Sequence, residues 1–83
     1  MKVVLTKQAG KQLEQLPDRE YRKVRRKLQL LTTQSQAGKQ LRGRLSGLHS
    51  LRAWPYRIIY TFDRSIKEVT VLEILHRQQA YQK

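Results

Sequence analysis

The chain has no cysteine, which removes disulfides, thiolate chemistry and most zinc sites, and fits a reducing compartment. Acids are scarce, 6 Asp+Glu against 18 Lys+Arg among 83 residues. Aromatics are 7% and all hydrophobics 39%, enough for one modest core but not for a deep cavity around a buried cofactor. No cofactor is expected. With two histidines and scattered acids, no metal site is expected either. No apolar run approaches a membrane span, and Met1–Thr6 is too short, and too polar beyond Leu5, for a secretory leader. Repeats, linkers and low-complexity stretches are lacking. What is left is a single small domain over residues 1–83, expected to be soluble and cytoplasmic.

Positive charge is abundant. The formal net charge is +12, and it is uneven: from Arg19 to Arg57 eleven Lys/Arg stand against Glu20 alone, so this stretch carries +10. Such a field favours a polyanion or an acidic protein and makes binding salt-dependent. A membrane surface ranks last, because the basic helix has strands to pack against.

Lys2–Thr6 reads as a short strand with β-branched Val3 and Val4 at its centre. Thr6 is placed to cap a helix over Lys7–Leu16, where Ala9, Leu13 and Leu16 repeat at helical spacing. Pro17 stops that helix and Asp18 is expected to cap a second one running to about Gln34. Tyr21, Val24, Leu28 and Leu31 form its apolar stripe, and Arg19, Arg22, Lys23, Arg25, Arg26 and Lys27 cover the rest. A basic helix face is ordinarily just solvated, though it also suits a phosphate backbone.

Lys39–Gly47 is a loop or strand approach carrying Lys39, Arg42 and Arg44. Strands follow over Leu48–Trp54, Tyr56–Phe62 and Glu68–Leu75, joined by Trp54-Pro55 and Asp63-Arg64-Ser65 turns. The order predicts an α+β fold: a small antiparallel β-sheet with a two-helix hairpin on one face (β-α-α-β-β-β) and a short C-terminal helix. Alternation sends Tyr56, Ile58, Tyr60 and Phe62 toward the helices and leaves Arg57 on the open face. An arginine at the centre of an open sheet face points to an anion. Directly after the last strand come His76, Arg77 and Tyr81, a proton-transfer group, a phosphate grip and a stacking phenol. A terminal Arg and Tyr are more ordinarily a solvated charge and a docking ring.

In this order, Leu41-Arg42-Gly43, Leu51-Arg52 turning into Tyr56-Arg57-Ile58-Ile59-Tyr60, and Val69-x-Val71-Leu72 leading to His76-Arg77-x-x-x-Tyr81 resemble the RelE/ParE superfamily of bacterial toxins, the RelE branch in particular. The resemblance implies a metal-independent endoribonuclease that cuts mRNA in the ribosomal A site. The ribose 2′-hydroxyl attacks the adjacent phosphate and leaves a 2′,3′-cyclic phosphate. It also implies an acidic, partly disordered antitoxin partner that covers the basic face.

Carried over by position, Arg57 matches the family's transition-state arginine, Arg77 its C-terminal arginine, Tyr81 its stacking or acid tyrosine, and Arg52 the arginine before the turn. The lysines that members place on the preceding strand are missing, since Leu48, His49, Ser50 and Leu51 stand there. His76 is the preferred substitute for proton transfer, ahead of His49 and Glu73. RNA contact is expected from Arg52, Arg42, Arg44, Lys39, Lys23 and Arg26. Two alternatives stay open: a ParE-like toxin that binds DNA gyrase and catalyses nothing, and a degenerate protein that only binds its antitoxin.

Overall fold

The computed structural model describes residues 1–41 and 47–80. Strand β1 (Lys2–Leu5) leads into helices α1 (Lys7–Glu14) and α2 (Asp18–Leu31). Strands β2 (Lys39–Gln40), β3 (His49–Ala53), β4 (Tyr56–Asp63) and β5 (Glu68–His76) follow, then a helical turn, α3 (Arg77–Ala80). The fold is α+β, with α1 and α2 on one face of a single five-stranded sheet ordered β1-β5-β4-β3-β2.

Thr6 starts α1 as its spacing predicts. Its hydroxyl accepts from the Ala9 amide at 3.1 Å and donates to the Leu72 carbonyl at 3.0 Å, tying helix to sheet. Asp18 does not cap α2, contrary to expectation. Pro17 holds the N-cap position without a side-chain bond, and Asp18 is the first helical residue. The Pro17 carbonyl accepts from the Tyr21 amide at 2.8 Å, and Asp18 and Glu20 act through the helix dipole instead. α2 also ends three residues early, at Leu31. There the hydroxyls of Thr32 and Thr33 donate to the Gln29 and Leu30 carbonyls at 2.6 and 3.4 Å, satisfying last-turn acceptors.

The meander β3–β4–β5 is antiparallel, as read, but β1 runs parallel to β5, so the sheet is mixed rather than wholly antiparallel. β1 pairs with β5 only as far as Val71, leaving the second half of β5 as an edge. A bare edge is a liability, and α1 covers it: Gln12 Oε1 accepts from the Ile74 amide at 2.7 Å, and Gln8 Nε2 donates to Glu73 at 3.2 Å. Run antiparallel, β1 would deliver α1 beyond Glu68, away from the half that needs covering.

Val24, Leu28 and Leu31 of α2 and Ala9 and Leu13 of α1 pack on Leu51, Ala53, Ile58, Tyr60, Val69, Val71 and Ile74. Each fully buried large side chain contributes about 1.5–3 kcal/mol. The Tyr60 ring is fully buried, yet its hydroxyl donates to the Ser35 carbonyl at 2.9 Å and accepts from the Gly38 amide at 3.0 Å. Burial pushes the Tyr60 phenol above its ordinary pKa, partly offset by the Gly38 N–H. These bonds pin the segment that follows α2 and set β2 against β3.

One irregularity governs the site. Ile59 pairs with Glu73 but Tyr60 pairs with Val71, so Leu72 is an extra residue, a β-bulge. Val69 and Val71 face the helices before it, and Ile74 does so after it. The bulge therefore reverses the alternation for the rest of β5.

Candidate functional site

Residues paired across strands share a face of the sheet. Leu51, Ala53 and Ile58 are buried beneath the helices, so Ser50, Arg52 and Arg57 between them belong to the face that neither α1 nor α2 covers. Arg52 and Arg57 stand directly opposite each other in register. Like charges so placed repel, and a sheet does better without them unless an anion sits between. Arg57 is half-buried, and its Nη1 donates to Ser50 Oγ at 3.3 Å. Ser50, itself 5% exposed, aims the guanidinium along the sheet. Lys39 of β2 pairs with Ser50 and joins the same face at its edge.

Arg77 reaches this end of the sheet from α3. Its amide donates to the Pro55 carbonyl at 2.7 Å, and its guanidinium lies 5.0 Å from the centre of the Trp54 ring. Arg52 lies over the same ring at 5.8 Å. Arg52, Arg57 and Arg77 thus gather around the β3–β4 turn, where the Trp54–Pro55 peptide is cis. Three guanidiniums offer forked donors that match phosphate oxygens.

His76 does not join them. It pairs with Tyr56, one position from the Arg57–Leu75 pair, and so lies on the helix-bearing face. Its ring meets Tyr56 edge-on at 5.4 Å, its Nδ1 accepts from the Gln78 amide at 3.3 Å, and Gln12, Gln15 and Leu16 line the same cleft. The structure thus brings Arg52, Arg57 and Arg77 together but leaves His76, the preferred proton-transfer residue, on the other face. The bulge at Leu72 reverses the side on which it emerges. His49 is also on the helix side, stacked on Tyr60 at 5.2 Å. Glu73 pairs with Ile59, on the face that carries Arg57, and accepts from Gln8 Nε2 at 3.2 Å.

The expected RNA-contact set divides. Arg52 and Lys39 share the open face with Arg57. Lys23 is committed locally, ion-paired to Glu20 at 3.0 Å and donating to the Trp54 carbonyl at 2.6 Å. Arg26 is exposed on α2, which packs on the opposite face. Arg42, Arg44 and Tyr81 lie outside the described residues. Among the described residues no three His, Asp or Glu side chains form a group able to hold a metal ion, and no helix is long and apolar enough to cross a membrane.

Sequence reasoning passed over Ser50 and Trp54. The signals were present: Ser50 shares alternation parity with Arg52, and Trp54 is the single tryptophan of the chain, set in a tight turn.

A family description, the ParE toxin of the type II toxin-antitoxin system parDE, matches residues 3–81. The curated Toxin RelE of Mycobacterium tuberculosis is 38% identical over 52 residues, 63% of this chain and 54% of that protein, so the match spans about half of that relative. A chain of the RelBE2 toxin-antitoxin complex from Mycobacterium tuberculosis is 32% identical, with a TM-score of 0.85 over 92% of this chain and 96% of the other. The archaeal RelE-RelB complex from Pyrococcus horikoshii OT3 gives 26% identity and a TM-score of 0.74 over 92% and 93%. The chain belongs to the RelE/ParE superfamily, as a RelE-like toxin of a type II toxin-antitoxin system.

Proposed function

We propose that the chain is a metal-independent endoribonuclease of the cytoplasm that cuts mRNA on the ribosome and is silenced by an acidic antitoxin. The observation that carries this reading is the cross-strand pair Arg52–Arg57 on the helix-free face, an arrangement that an anion relieves. In the reaction the 2′-oxygen bonds to phosphorus, the bond from phosphorus to the 5′-oxygen breaks, and a 2′,3′-cyclic phosphate remains. The proton leaves the 2′-hydroxyl to a base, and another reaches the departing 5′-oxygen. Arg57 and Arg77 stabilise the charge that develops on the phosphorane oxygens. Arg52, Lys39, Arg42 and Arg44 hold the flanking backbone, with Lys23 and Arg26 adding to the field that attracts ribosomal RNA.

Tyr81 is assigned to stacking or proton donation. His76 serves as base only if the end of β5 turns over on the ribosome, so positioning by ribosomal RNA supplies much of the rate. The antitoxin is an acidic segment, in keeping with relatives whose solved complexes pair RelE with RelB.

Primer extension on translated message is the test. Cuts in codon register are expected, with slow cleavage of naked RNA at physiological salt. Arg57→Ala is expected to lose about a hundredfold in cleavage of ribosome-bound message. Cuts phased at random, or rapid cleavage of naked RNA, would refute ribosome dependence. A second reading, inhibition of DNA gyrase without catalysis, draws on the ParE description of the matching family. It predicts loss of gyrase supercoiling with message left intact.

A further inference from the structure

Resting on the reading of the arginine cluster as a phosphate site, we propose that Trp54 is a positioning residue whose ring gathers Arg52 and Arg77 beside Arg57. Trp54 is 50% exposed and does not belong to the buried core, so core packing does not account for a ring of this size. What surrounds it does. Arg52 comes from β3 and Arg77 from α3, two elements that no strand pairing joins, and both guanidiniums lie within 6 Å of this ring. Two cations brought together repel. A ring whose faces carry negative charge density offsets that repulsion and holds both close to their working place.

The backbone of the same residue is fixed from a third direction. Lys23 of α2, ion-paired with Glu20, donates to the Trp54 carbonyl at 2.6 Å. The next carbonyl, that of Pro55, accepts from the Arg77 amide. The turn is thus braced by α2 beneath and latched to α3 at its end. α3 is a four-residue helix whose backbone is held by the Arg77 amide on Pro55 and the Gln78 amide on His76, and neither bond fixes the Arg77 side chain. The ring contact decides whether the Arg77 guanidinium points toward Arg52 and Arg57 or spreads into solvent. Arg57 needs no such help, because Ser50 already orients it.

The test uses the full chain and four variants: Trp54→Phe, Trp54→Leu, Arg77→Ala and the double Trp54→Leu/Arg77→Ala. The binding probe is a short 2′-O-methyl oligoribonucleotide, which has phosphates but no attacking hydroxyl. Cleavage of ribosome-bound message is read in parallel. Trp54→Leu is expected to weaken probe binding and slow cleavage by about tenfold, and Trp54→Phe to stay within about threefold of wild type. In the double variant the loss should be smaller than the product of the single losses.

Trp54 is the only tryptophan, so its emission reports this turn alone. Arg77→Ala should shift that emission and make acrylamide quenching stronger. This arm leaves the ring in place and decides the matter even if Trp54→Leu fails to fold. Wild-type binding and cleavage by Trp54→Leu, losses that multiply in the double variant, or emission indifferent to Arg77→Ala would each overturn the proposal. If wild type binds the probe with the expected coupling but cuts no message, the nuclease reading fails and the role of Trp54 stands.

Discussion

At the scale of single residues, the pairing of Arg52 with Arg57 sets charge against stability. Two guanidiniums opposite each other on an open face repel in the free protein. Arg52→Ala is therefore expected to raise stability by about 0.2–1 kcal/mol, read as a higher urea midpoint, while lowering cleavage. A variant that is both less stable and less active would mean that Arg52 packs rather than binds. His76 offers the complementary case. With its ring against Tyr56 on the helix side, His76→Ala is expected to leave the single-turnover rate on ribosomes near wild type. A loss of about a hundredfold would show that the strand end turns over when RNA is bound.

At the scale of elements, the segment between α2 and β2 depends on one buried phenol. A Cβ on Gly38 would lie 2.5 Å from Tyr60 Oη and 2.8 Å from its Cε1, with the Ser50 carbonyl at 3.0 Å. Gly38→Ala is expected to cost about 1–3 kcal/mol in denaturant unfolding and to loosen β2, slowing cleavage less than Arg57→Ala does. Tyr60→Phe keeps the ring but strands the Gly38 amide and the Ser35 carbonyl, a cost of about 1–3 kcal/mol.

The same phenol sets an alkaline limit. Its folded pKa is raised, so the folded state keeps its proton where the unfolded chain has released it. The stabilisation is whole below the ordinary tyrosine value of about 10 and is lost as pH climbs through the folded value. Unfolding midpoints followed from pH 8 upward should fall more steeply for wild type than for Tyr60→Phe. Equal slopes would place the alkaline loss elsewhere.

At the scale of the whole molecule, a net charge of +12 on 83 residues makes every encounter with RNA or an acidic protein a counterion-release event. Calorimetry with the antitoxin, an acidic product expected from the neighbouring gene, should show affinity that falls steadily as salt rises. Lys39→Ala should reduce that slope through the open face. Affinity indifferent to salt would mean that the antitoxin grips an apolar surface and that the basic field serves another partner.

Local sequence was enough for most of the elements. Thr6, the stripe Val24–Leu28–Leu31 and the alternation through Ile58 and Tyr60 each express a periodicity that neighbouring residues enforce on their own. Charge, too, is additive and needs no fold to be counted, so the excess of Lys and Arg was legible from composition. Arg57 on the open face followed from alternation alone, because nothing interrupts β4 before it. What sequence could not decide were the relations set by distant segments. The direction of β1 depends on which edge of β5 is left for α1 to cover. The place of His76 depends on a single extra residue, Leu72, accommodated where β1 ends and Thr6 takes the Leu72 carbonyl. One bulge reverses every later side chain of the strand. The meeting of Arg52, Trp54 and Arg77 likewise arises only when β3 and α3 are brought to the same turn. Periodicity is a property of neighbours in the chain, whereas register and edge cover are properties of neighbours in space, and the tertiary structure alone determines those.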